Sequence, residues 1–399
     1  MKTEDLKNLS LEEIVSALQK QNLQKKDFVV SAKYIRMVQS NLQIINDNNL
    51  DSLKKILVET GICIENEDLD ILSLSVLECC HTQISQKLSI PKRYYDRMLE
   101  NEVNYPLLDR NVSHWFMQNR TKNYLLRTFI DKEQKTGIAR AVLSDRYNTL
   151  DNYDVMLATL DAIRETGMNV QIESGDITDT KFYMRFTCPD VEVNAPDILR
   201  DYKVPNGESR KRGDGIISGF VISNSETGNG KFSISPRAIV LACTNGMIFK
   251  DDSYAKTHLG SKMEENSTID WSAETREKNY ALVISQVKDA IKTYASKEYL
   301  TGKVQELTAK GDKELNNPVQ TVKNVANHLD MSEEKEQSIL NYFVKGGDTK
   351  AFGVTQAITF YAHTDATPEE RFDLESKSVE ILNSIESFDT PPAIEVYSN

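Results

Sequence analysis

The chain has 399 residues and carries 48 Lys plus Arg against 60 Asp plus Glu, a net charge of -12. Hydrophobic residues make up 39% and charged residues 27%, so a sizeable core is possible and wholesale disorder is not expected. The acidity argues against a generally basic chromatin-like protein and against a chain held on anionic lipid by charge.

The length suggests two or three domains. Cys63, Cys79, Cys80, Cys188 and Cys243 lack regular spacing, make no disulfide framework and fit a reducing cytosol. The N-terminus has no apolar signal region, and no run of 18 apolar residues exists. The expectation is a cytoplasmic protein without a membrane partner.

Residues 1–115 read as a mainly helical region. Ser10-Leu11-Glu12-Glu13 has capping-box spacing ahead of Ile14, Val15 and Leu18. Further apolar stretches cover Ile71 to Leu77 and His81 to Leu88. Pro91 pushes Ile90 out of helical angles and breaks the pattern, which resumes from Arg93 to Leu99.

Residues 116–265 change character and read as an α+β core. Tyr124 to Ile130 and Ile138 to Leu143 flank a polar turn that ends in Gly137, a β-hairpin pattern. Asp151 and Asn152 then cap a helix through Val155, Met156, Leu160 and Ile163, which Gly167 closes. Val170 to Glu173 with Lys181 to Phe186 suggests a second hairpin. Phe220 to Ser223 with Lys231 to Ile234 suggests a third, turning at Gly228-Asn229-Gly230.

Residues 266–399 return to helix. Tyr280, Ile284, Val287, Ile291 and Tyr294 form a two-heptad apolar seam, read as packing on the chain's own core, with a coiled coil as the alternative. The fold class is α+β: a central antiparallel hairpin-and-helix core with helical regions on both flanks.

Tests for chemistry exclude more than they find. Cys79, Cys80 and His81 are adjacent and would point about 100° apart on a helix, so they make no tetrahedral metal site. There is no GxSxG elbow, no Walker loop and no His spaced as a catalytic base. No catalytic residue, metal or cofactor is expected.

Charge is uneven. Residues 118–250 hold 18 Lys plus Arg against 17 Asp plus Glu, so the middle is the least acidic part. A basic loop, Arg210-Lys211-Arg212, could track a phosphate backbone, with a solvated connector as the plain alternative. Where the hairpin hands over to the helix, Arg140, Asp145, Arg146 and Tyr147 crowd together. Asp145 is expected to contact Arg140 or Arg146, and Tyr147 to be at least half buried. The network either locks the corner or presents Arg140, Arg146 and Tyr147 to a ligand.

Leu143-Ser144-Asp145-Arg146-Tyr147 with Asp151-Asn152 resembles the central signature of the DUF932 family, a phage- and plasmid-borne group without settled function. Ile84 to Met98, Asn224 to Gly228, Ala242-Cys243-Thr244-Asn245-Gly246 and Phe352 to Thr359 are similar to its other blocks, so the likeness covers roughly residues 80–365. Where the family often has His-Asp-Gly this chain has Asn224 to Gly228, so no role of that His carries over. The resemblance implies a mobile genetic element in a bacterial host and marks Asp145, Asp151, Asn152, Cys243 and Asn245 as motif residues. The element order is also similar to the core of ring-forming single-strand annealing proteins.

The leading expectation is a non-enzymatic nucleic-acid-binding protein with single-stranded DNA as partner, an annealing or recombination accessory that forms homo-oligomers. Arg120, Lys122, Arg127, Arg140, Arg146 and the Arg210–Arg212 loop would supply cations, with Tyr124, Tyr147, Tyr183 and Phe186 to stack. The alternatives are a phage structural or host-interaction protein without DNA binding, and an enzyme of unrecognised chemistry.

Overall fold

The computed structural model describes residues 5–46, 64–66, 69–131, 136–147, 149–207, 215–256 and 273–389. The α+β class and the helical flanks hold: among these residues twelve helices surround two sheets. No helix is long and apolar enough to cross a membrane among the described residues.

Strand β1 (Leu6–Leu9) leads into helix α1 (Leu11–Gln24). The capping box forms as its spacing predicts: the Ser10 hydroxyl accepts from the Glu13 N–H, and the Glu13 carboxylate accepts from the Ser10 N–H at 2.8 Å.

The stretch that follows adds strands to the region expected to be mainly helical up to residue 115. Phe28–Ser31 (β2), Ile35–Val38 (β3), Asn41–Asn46 (β4), Ile64–Asn66 (β5) and Leu69–Val76 (β6) are strands. The period explains β6. Leu72, Leu74 and Val76 are buried, whereas Ile71, Ser73 and Ser75 between them are only partly so, and successive strand residues face opposite sides. Helices α2 (Glu78–Lys87), α3 (Lys92–Leu99) and α4 (Tyr105–Gln118) come after, with the expected break at Ile90-Pro91.

The predicted hairpin is present as β7 (Asn123–Asp131) and β8 (Thr136–Ser144). It completes a sheet in the order β2-β7-β8-β6-β4-β3, with β5 on β6. Strands β2 and β3 lie at opposite ends of that path, yet only Ala32–Tyr34 separates them. Four chain steps reach at most about 14 Å, whereas a flat row of six strands would hold its outer strands about 24 Å apart. The sheet therefore curls until its ends nearly meet. Its core is shared with α2–α4, through Leu74, Cys80, Ile84, Tyr95, Phe116 and Leu126.

Helix α5 (Asn152–Thr166) ends at Gly167, whose φ of 66° is left-handed. The second and third hairpins also form. Strands β9 (Gln171–Ile177), β10 (Phe182–Asn194), β11 (Gly215–Asn224) and β12 (Phe232–Val240) run antiparallel in sequence order, with the one-turn helix α6 (Pro196–Leu199) between β10 and β11. Strand β1 pairs with β9, while β13 (Gly246–Ile248) and β14 (Tyr254–Lys256) pair with β12.

One face of this second sheet is apolar. Phe182, Met184, Phe186, Phe220 and Ile222 pack there against α1, α5 and the long helix α7 (Ala273–Tyr294). Val287, Ile291 and Tyr294 of the heptad seam are buried in that core, so this part of the seam packs within the chain; the Tyr280 side chain lies outside the described residues. The chain then adds the short helix pair α8 (Lys297–Gly311) and α9 (Pro318–His328), followed by α10 (Glu333–Gly346), α11 (Ala351–Thr364) and α12 (Pro368–Asn383). They share a third core with Ile216, Ala238 and Val240.

Candidate nucleic-acid interface and charge joints

The strand-to-helix corner is locked, but by other partners than its own sequence suggests. Arg140 lies on β8 and is buried, with Nη2 donating to Glu226 Oε2 at 2.7 Å and its guanidinium 3.8 Å from the Phe129 ring centre. Asp145 corrects the expectation. It is exposed, and its hydrogen bond comes from the neighbouring Ser144 hydroxyl at 3.3 Å. The strand ends at Ser144, so Asp145 sits in a turn beyond the point where side-chain alternation would aim it at Arg140. Tyr147 is mostly buried, as expected, and its hydroxyl donates to the Ser225 carbonyl at 3.1 Å.

Arg127 completes this joint. It is fully buried, donates to Asp27 at 2.8 Å and to the Glu226 carbonyl at 2.9 Å, and pairs with Asp151, which Lys25 also contacts. Asp151 thus spends its carboxylate on cations rather than on capping α5. The cap comes from Glu226 Oε1, which accepts from the Asn152 N–H at 2.7 Å. Asn152 in turn accepts from Asn224 at 2.8 Å. Three cations meet three carboxylates, and the curled sheet is fastened to the second sheet through them. Burial works against the charge of Glu226, yet Arg140 and Arg127 hold its carboxyl below the usual range. Asp27 goes the other way, because burial outweighs Arg127.

The polar face of the second sheet makes another joint. Arg237 on β12 donates to Glu375 of α12 at 2.8 Å and pairs with Glu173 on β9. Arg371 of α12 reaches Glu173 at 3.1 Å, Glu375 at 3.2 Å and Asn8 of β1 at 3.2 Å. Arg185 pairs with Asp176 beside them. Burial opposes ionisation of Glu375, but Arg237 and Arg371 pull its pKa down to about 2. Gly246 lies against Arg237, where a Cβ would fall 1.9 Å from Nε.

Cys243 and Asn245 are interior residues. Cys243 Sγ donates to Gln356 Oε1 at 3.5 Å, and Asn245 Nδ2 reaches the Gln356 carbonyl at 3.4 Å. Segments 242–246 and 352–359 therefore touch each other, just as 143–152 touches 224–228. Packing accounts for these motif residues.

Two histidines, the buried His81 and the half-buried His363, should give the fold a pH response. Burial first, and neighbouring cations second, push His81 and His363 down to about 4. His81 shares a 2.8 Å hydrogen bond with Tyr95, and His363 faces Arg371 and Arg237. Each is neutral in the fold and protonated in the unfolded chain between pH 6.5 and 4, so the unfolded state binds more protons there. Stability should fall as pH drops through that window, by up to about 3 kcal/mol per histidine. Urea midpoints at pH 7 and pH 4.5 measure this; equal midpoints would contradict it.

The exposed cations lie elsewhere. Lys122 immediately precedes β7, and Tyr124 near its start pairs with Ser144, so Arg146 sits at the same end of the hairpin. Arg120 and Lys122 are exposed, and neither makes an ion pair among the described residues. Lys87, at the end of α2, lies 5.9 Å from the Tyr124 ring centre, and burial together with the nearby Lys122 lowers its pKa. Sequence reasoning named Arg120, Lys122 and Arg146 but missed Lys87, since nothing local links the end of α2 to β7. Of the other candidates, Tyr124, Tyr183 and Phe186 are buried, and Arg210, Lys211 and Arg212 lie outside the described residues. No family model, no curated protein and no solved structure matches the chain, so its functional reading rests on its own residues.

Proposed function

We propose that this chain is a non-enzymatic nucleic-acid-binding protein that holds the phosphate backbone of single-stranded DNA at the open end of the β7–β8 hairpin. The carrying observation is the grouping of Arg120, Lys122, Arg146 and Lys87 there, with Arg120 and Lys122 exposed and outside any ion pair among the described residues. Cations that are not internally neutralised release counterions from a phosphate chain, which drives binding. Arg127 and Arg140 leave the proposed interface, because carboxylates already neutralise them inside the fold.

The setting we propose with this role is a phage or plasmid protein at work in the bacterial cytoplasm. In that setting a single-strand binder would serve annealing or recombination, as a homo-oligomer. Charge reversal tests the interface. Arg120→Glu with Lys122→Glu should weaken binding of a fluorescent 30-mer at least tenfold, with the melting temperature unchanged, since both side chains are exposed. Unaltered affinity, or no binding by the parent chain at low salt, would reject the reading.

A further inference from the structure

Helix α4 ends next to this cationic patch and carries an unusual surface. Leu108, Val112 and Phe116 bury one face, while Arg110 and His114 stand on the other. Trp115 sits at the border of the two faces and is 43% exposed. The His114 ring meets it edge to face, with centres 5.4 Å apart. The Trp115 carbonyl accepts from the Asn119 backbone and side chain at 3.1 and 3.0 Å, and the Asn119 carbonyl accepts from the Lys122 N–H at 2.8 Å. These bonds fix the end of α4 one turn from Arg120 and Lys122. Phe116, the next residue, packs on Tyr124, over which Lys87 lies.

We infer that Trp115 is a base-stacking platform, which makes the adjoining patch selective for unpaired nucleotides over duplex. This rests on the nucleic-acid reading of the cations. Exposing a large indole to water has a hydrophobic cost, and a helix anchored by three buried side chains holds it in place. The occupant must offer a flat apolar face and carry negative charge, because the exposed cations Arg120 and Lys122 follow directly on the helix end that carries the ring. An unpaired nucleotide offers both, whereas a duplex keeps its base faces stacked inside. Stacking tolerates any base, since each has a π face.

The chain has two tryptophans, Trp115 and Trp271. A Trp271→Phe background leaves Trp115 as the emitter. Titrate that full-length chain, and its Trp115→Ala variant, with a 30-mer of thymidine, an abasic 30-mer of equal phosphate count, and a 30-bp duplex. The expected result is quenched indole emission with the thymidine strand alone. Trp115→Ala should lose on the order of tenfold in affinity for that strand, read by a fluorophore on the DNA, with its salt slope intact. Its affinity for the abasic strand should be unchanged. Equal losses on both strands, or no quenching, would overturn the stacking role while the cationic reading stands. Failure of every oligonucleotide to bind would remove that reading itself. A Trp115→Ala change that alters mass by light scattering, with DNA affinity intact, would assign the indole to a contact between copies instead and overturn the proposal.

Discussion

Replacing Arg237 with Met is expected to cost about 3–5 kcal/mol of folding stability. The side chain is fully buried on β12 between Glu173 and Glu375. Met fills much of the volume but removes the charge, so two carboxylates are left to share Arg371. Glu375 suffers most. It is completely buried, and its low pKa depends chiefly on Arg237. A companion change separates loss of the ion pair from loss of packing. Arg237→Met with Glu375→Leu removes both members of the pair that is buried on both sides, and should be less destabilised than the two single changes summed, by about 1–3 kcal/mol. Urea unfolding of the four chains gives the coupling. A cost below 1 kcal/mol for Arg237→Met would mean that the joint does not hold α12 to the sheet.

Glu226→Ala is expected to be nearly as severe, also about 3–5 kcal/mol, for a different reason. One carboxylate serves two clients: Arg140 at 2.7 Å and the first N–H of α5 at 2.7 Å. Alanine leaves a buried guanidinium without its anion and a helix start without its acceptor, and each carries a separate penalty. Glu226→Gln should cost less, since an amide oxygen can still take the Asn152 N–H. The loop around Glu226 also ties the two sheets, through Tyr147 to Ser225 and through Gln83 to Thr227. The alanine chain should therefore be cut faster by dilute protease under native conditions. Matching stability and cleavage rates in Glu226→Ala and the parent chain would show the joint to be idle.

Much of the fold was legible because local chemistry carried it. The β7–β8 hairpin showed itself by two apolar runs around a polar turn, and α5 by Asp151 at its start and Gly167 at its end. Strand β6 was missed, since its alternation is muted by Ile71 on the less buried side. The charge joints were illegible for a deeper reason. Arg140 and Glu226 are 86 residues apart, and nothing near either residue names the other. Arg127 and Lys122 look alike as cations in a sequence, yet one is fully buried against Asp27 and the other stands in water. Only tertiary pairing separates a structural cation from one open to a partner. That is why Arg140 belonged to both readings of the corner, and why Asp145, its nearest acid in the chain, was the wrong partner.

The division between spent and open cations is the central claim, and the salt dependence of single-strand binding tests it most directly. The slope of log affinity against log salt changes by about 0.7 for each phosphate contact on a single strand. Arg120→Gln with Lys122→Gln should therefore flatten the slope by about 1.4, at unchanged melting temperature. An unchanged slope in that double variant, or a parent chain whose affinity ignores salt, would contradict the account.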